Sequence, residues 1–206
     1  MGLDEPCMHL YGDPQTALTC IQTARRVATS STDTTVRAWL AAIDAEAQAK
    51  LHDDDACRRA LDEAELVEDA DQLQRVHYWT SYDSIQLEGY KGTCFRHLYA
   101  PEKTQTRSYL LEAQEILKEA LEQPDPVLAR LQSTFLSDLA DTFAKQRELG
   151  EACRLARQAL LRNIPQSQMI VQRVLTFRQD LEPWKDTQEV RELDAQLLPL
   201  LLSSKQ

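Results

Sequence analysis

Glycine is scarce in this chain, five residues in 206, and proline is little commoner at eight. A chain so poor in turn residues has few places for the tight hairpins of an antiparallel β protein. Aromatic residues make up 6%. Valine and isoleucine are sparse, and no run alternates apolar and polar residues at the period of a strand. Basic residues are also outnumbered, 23 against 33 acids, which leaves a net charge of −10. The arginines at Arg25-Arg26, Arg58-Arg59, Arg154 and Arg157 are dispersed among acids. Holding a nucleic-acid backbone needs clustered cations, so no direct nucleic-acid contact is expected, and the acidic surface reads as a solvated face.

Cysteine offers no covalent framework. The five thiols, Cys7, Cys20, Cys57, Cys94 and Cys153, are odd in number and contain no Cys-x-x-Cys. Cys20, Cys57 and Cys153 fall in helical patterns where alanine would also fit, as small buried thiols do in a reducing compartment. Cys94 and His97 lie three apart, but no second pair of that spacing accompanies them, so no metal is expected. A Gly-rich phosphate loop, a Ser/His/Asp set and a Glu-x-x-His pair are all missing. The four histidines (His9, His52, His77 and His97) lie in or next to different elements. Neither catalysis nor a cofactor is expected. The longest apolar run, near 197–202, is broken by Pro199 and is far shorter than the roughly 20 residues of a membrane span. The first ten residues are neither basic nor continuously apolar and do not read as a secretory signal. The expectation is a soluble, cytoplasmic chain without membrane contact.

What dominates instead is alanine, leucine, glutamine, glutamate, aspartate and arginine, mostly helix formers, and the pattern predicts an all-α fold. Asp13-Pro14 is a good helix entry, with Asp as cap and Pro at the first helical position. That helix runs to about 28, with Ala17, Ile21, Ala24 and Ala28 on one face. A second, about 35–51, carries Val36, Leu40, Ile43, Ala47 and Leu51. Asp53-Asp54-Asp55 follows. Three acids in a row could suggest a cation site, but at a helix start they read as capping and as charge matched to the helix dipole. The helix they open, about 55–68, turns Cys57, Ala60, Leu61 and Ala64 inward. An aromatic helix is expected over 77–98, then one over 102–122 with Leu110, Ala113, Leu117, Ala120 and Leu121 inward. Pro124-Asp125-Pro126 breaks the chain before a pair over 127–147 and 149–163, turning at 148–150. Helices over 167–181 and 187–201 complete the chain, the last as a cap.

Small residues recur at fixed spacing. Ala17 and Ala24, Cys57 and Ala64, Ala113 and Ala120, and Ala152 and Ala159 are each seven apart. Ala45 stands twelve before Cys57, and Ala140 twelve before Ala152. Steps of 40, 56 and 39 separate positions 17, 57, 113 and 152. This is a loose helix-pair period with one longer unit, in which 99–109 read as inserted.

The pattern resembles the tetratricopeptide repeat. Ala140, Phe143, Gly150, Ala152 and Ala159 match that motif's small, aromatic, Gly, Ala and Ala positions. In the 36–68 unit Ala45, Leu51, Cys57 and Ala64 fit, while Gln48 and His52 replace the aromatic and the glycine. More narrowly, TVRAWLAA at 35–42, ACRRAL at 56–61, GYKGTCF at 89–95, EACRLA at 151–156 and LEPWKDTQEVREL at 181–193 resemble the C-terminal repeat region of bacterial XRE-class helix-turn-helix transcription regulators. That family carries a DNA-binding domain in front, which this sequence does not show.

The resemblance implies one domain over 1–206, a right-handed superhelical stack of antiparallel helix hairpins. Its units would be a half unit at 13–28, hairpins at 35–68, 77–122 and 127–163, and terminal and capping helices at 167–202. First helices of such a stack line the concave face. This implies a protein- or peptide-binding face formed by Trp39, Glu46 and Lys50, then Asp83, Gln86, Tyr90 and Thr93, then Ser137, Asp141 and Lys145. The implied role is the regulatory or sensor part of a transcription regulator. Two alternatives stand beside it. Trp39 and Tyr90 could simply pack between hairpins, and the chain could be a self-associating scaffold, such as a homodimer, that binds nothing small.

Overall fold

The structure, a computed structural model, describes residues 13–28, 34–71, 84–122, 129–162 and 168–203. Among them nine α-helices follow one another: α1 (Pro14–Ala28), α2 (Thr34–Lys50), α3 (Asp54–Asp71), α4 (Ser84–Leu98), α5 (Arg107–Glu122), α6 (Ala129–Lys145), α7 (Leu149–Arg162), α8 (Gln168–Asp180) and α9 (Gln188–Ser203). Short 3-10 turns occur at Thr104–Thr106 and Glu182–Trp184. The all-α expectation holds for these residues. Part of the expected 77–98 helix, from 77 to 83, lies outside them.

Helix starts follow local chemistry. Asp13 accepts a hydrogen bond from the Gln15 amide at 3.1 Å, and Asp53 accepts one from the Ala56 amide at 2.9 Å. Each satisfies an N–H that the first helical turn leaves without a carbonyl. Within the acid run 53–55, then, Asp53 is a cap, and Asp54 pairs with Arg58 at 2.8 Å.

The helix ends before α3 and α7 share one device. His52 (φ 57°) and Arg147 (φ 67°) stand in the left-handed region. Around His52, the Asp53 amide reaches the Gln48 carbonyl at 3.0 Å and the His52 amide reaches that of Ala49 at 3.0 Å. Around Arg147, the matching bonds run from Glu148 to Phe143 at 3.0 Å and from Arg147 to Ala144 at 2.9 Å. This is the Schellman arrangement, which satisfies the last carbonyls of a helix. The expected turn at 148–150 is displaced accordingly. It occupies 146–148, and Gly150 lies in the first turn of α7.

Residues 99–106, the start of the expected insertion, are a compact turn. The Thr106 hydroxyl accepts the Ala100 amide at 3.0 Å and lies 2.8 Å from the carbonyls of Ala100 and Lys103.

The chain divides into two compact units, Met1–Ile116 and Leu117–Gln206, with the boundary inside α5. In the first, α2 is central and packs against α1, α3 and α4. Ten of its seventeen residues are buried, Leu40, Ala42, Ile43, Ala45 and Ala49 among them. The expected single stripe is thus too narrow. Alanines at several azimuths let three helices approach at once. Val36 is half-buried, and Leu51, one residue past the helix, is 38% exposed. At the far side of this unit Phe95 and Tyr109 stack with centroids 5.8 Å apart, and the Arg58 guanidinium lies over both rings. Its hydrogen bond to the Tyr109 hydroxyl, together with Asp54, raises the Arg58 pKa further.

In the second unit α6 packs against α7 and α8, and α9 packs against α7 and α8. Phe135, Leu136, Leu139, Ala140 and Phe143 of α6 are buried, as are Ala152, Leu155, Ala156 and Ala159 of α7. Ile170, Val174 and Phe177 of α8 and Val190, Leu193 and Leu197 of α9 complete this core. Ala24, Leu121 and Leu201, expected inward, are half-buried. Cys20, expected in an alanine-like buried position, is exposed on α1.

Candidate functional site

In the first unit the residues expected to face a partner gather where α2 meets α4. Trp39 donates its indole N–H to the Tyr90 hydroxyl at 3.2 Å. Both rings are half-buried and pack against the cluster of Ala17, Leu18, Ile21, Ile43 and Ala47. These two aromatics are therefore part of the packing between helices.

Two turns further along α2, Glu46 is 4% exposed. Its carboxylate lies 3.3 Å from the Lys50 ammonium and 4.0 Å from His97 Nε2 of α4. Arg96 Nη2 is 2.6 Å from the same His97 nitrogen. A guanidinium only donates, so the ring nitrogen is the acceptor in that contact. Gln86 and Thr93 of α4 are buried as well, and Thr93 donates to the Gly89 carbonyl at 3.0 Å. Asp83 lies outside the described residues. Around this seam Arg25 pairs with both Asp44 and Glu63, and Lys91 with Glu65 and Glu88. Burial opposes the charge on both cations, yet those acids win and raise their pKa.

In the second unit the candidate residues sit on α6. Ser133, Ser137 and Asp141 recur at steps of four, and Lys145 follows at the same step, so one face carries all of them. Ser137 donates to the Ser133 carbonyl at 2.9 Å, and Asp141 pairs with Lys145. Ser137 and Asp141 are buried. Beside them Asp138 meets Arg173 of α8 at 2.7 Å, the two side chains only 4% and 10% exposed.

The two sets obey one register. Ala45 and Ala140, Glu46 and Asp141, Lys50 and Lys145, and His52 and Arg147 are each 95 residues apart. The acid–lysine pair closes the first helix in both hairpins, its lysine two residues before the left-handed residue. Periodicity of small residues pointed to the alanines. It could not point to Arg25, His97, Asp138 or Arg173, which meet partners on other helices.

Chemically, these sets are networks of paired charges and hydroxyls on rigid helices. Among the described residues no three metal-ligating side chains come together, and no helix is long and apolar enough to cross a membrane. No family model, curated protein or solved structure matches this chain.

Proposed function

We propose that this chain is a tetratricopeptide-like interaction module that takes a protein or peptide segment along its first-helix faces. The supporting observation is the repeat of one polar device, acid and lysine four apart ahead of a left-handed turn, at equivalent positions of two hairpins. Hydrophobic packing alone does not require charges there, and burying them costs free energy unless they are paired. On this reading the hairpins continue one right-handed stack, α9 covers its open end, and the module serves as the sensor part of a cytoplasmic XRE-class regulator.

A phage-displayed random peptide library tests the binding face. Selected peptides should bind the wild-type chain and lose affinity at least tenfold on two charge-neutral replacements, Glu46→Gln with Lys50→Met and Asp141→Asn with Lys145→Met. Arg154→Ala, on a second helix, should leave binding unchanged. Absence of any enriched peptide, or equal binding by all variants, would sink the face assignment. The regulator role further requires a helix-turn-helix encoded in frame or adjacent to this chain.

A second reading is a self-associating scaffold. Leu198 and Leu202, one turn apart on α9, are 58% and 63% exposed. A dimer in sedimentation that persists in both neutral-pair variants but is lost in Leu198→Glu would favour it.

A further inference from the structure

Cys57 of α3 and Cys94 of α4 are fully buried in one apolar cluster with Ala42, Ala45, Ala60 and Ala64. Each is a free thiol, and the two interact directly. The alanines of that cluster let the helices approach, and a disulfide needs backbones about 4.4–6.8 Å apart. We propose that Cys57 and Cys94 are a reversible redox pair, closed to an intrachain disulfide by a small peroxide and reopened by a thiol reductant.

The chemistry balances without a further cofactor. One thiolate attacks hydrogen peroxide, becomes a sulfenic acid and releases hydroxide, which takes a proton to become water. The neighbouring sulfur attacks the sulfenic sulfur and displaces a second water. Two thiols and one peroxide thus give one disulfide and two waters. The second thiol lies in the same buried cluster, so the sulfenic acid has its partner at hand. Burial, reinforced by Cys57, pushes the Cys94 thiol well up. The reactive thiolate is therefore rare at neutral pH, and closure is slow there and faster as pH rises. The bond would tie α3 to α4, the helix that carries Gln86, Tyr90 and His97.

The test uses the full chain, folded, with hydrogen peroxide at pH 7.5. Remaining thiols are alkylated in denaturant and the protein is digested without reduction. The expected product is one peptide pair joined through Cys57 and Cys94, reversed by dithiothreitol, with both thiols lost together. Exposed Cys20 reports that oxidant has acted. Cys57→Ala, which installs the residue standing at the equivalent Ala152, should leave Cys94 alkylatable under the same exposure. The idea is overturned if Cys57 and Cys94 are both still alkylated once Cys20 is fully oxidised. It is equally overturned if either thiol crosslinks to a different cysteine, or if the bond forms only in denaturant. The wild-type result decides the matter even where a variant fails to fold.

Discussion

The α2–α3 and α6–α7 hairpins reach the same turn by different chemistry. In the first, α2 is alanine-rich and buried on most sides between α1, α3 and α4. In the second, α6 fills its core with Phe135, Leu136, Leu139 and Phe143 while keeping Ser133, Ser137 and Asp141 along one face. The residue two before the helix end is Gln48 in one and Phe143 in the other. The left-handed residue is His52 in one and Arg147 in the other. What the hairpins keep is the geometry of the two backbone bonds and the small residues at 45 and 140, and at 57 and 152. The turn is therefore specified by helix capping and close packing, and the consensus glycine contributes little to it.

The largest difference to exploit lies at positions 43 and 138, which are equivalent. Ile43 is fully buried, whereas Asp138 is a buried acid paired with Arg173. Asp138→Ala should cost about 3–5 kcal/mol, because it removes the carboxylate from a buried guanidinium. Replacing both partners, Asp138→Ile with Arg173→Leu, should recover most of that loss. Urea melts of the single and double variants check this, and a double variant as unstable as the single one would show that the ion pair is needed for more than charge balance.

Next in size is the close approach itself. Ala45 and Ala140 are both fully buried. Leucine at either position should overpack the hairpin and cost about 1–3 kcal/mol, read as a lower denaturation midpoint. A loss confined to one hairpin would separate two units that otherwise look alike.

Smaller gains test the turns. Gly150 has nothing within 4 Å of where a Cβ would stand, so Gly150→Ala should stabilise by up to about 1 kcal/mol through helix propensity. His52→Gly and Arg147→Gly should each stabilise by at most about 1 kcal/mol by relieving the left-handed conformation. If Gly150→Ala destabilises instead, the glycine has a role in the turn after all.

The smallest effect concerns acid. Glu151 is held below its usual pKa by Arg154, chiefly through their side-chain hydrogen bonds. Its folded pKa is depressed, so the stability it adds is present above the unfolded carboxylate value and lost as pH falls through the folded one. Both side chains are largely in water, so the change should be slight. Arg154→Met should flatten it in melts between pH 5 and 3, and the α2–α3 hairpin, with Ala56 at the equivalent position, offers no such term.

Much of the fold was legible beforehand, for reasons that individual residues make plain. Asp13 and Asp53 announced helix starts because capping is local. Cys57, Ala64, Ala152 and Ala159 announced their faces because helical periodicity is local. The candidate site was legible only as positions. Trp39 bonds to Tyr90 and Glu46 lies near His97, contacts that come from the docking of α4 on α2, which no local pattern encodes. Gly150 misled because a left-handed residue need not be glycine when two backbone bonds hold it, as at Arg147.

By itself, then, the sequence determined helices, caps and the spacing of small residues, since each depends on side chains within a turn or two of one another. Only the tertiary structure decided that α2 is buried on most sides, that Asp138 pairs with Arg173, and that Cys57 and Cys94 share one buried cluster. Each of these joins residues brought together by packing between helices, and that is settled by shape and charge over the whole unit.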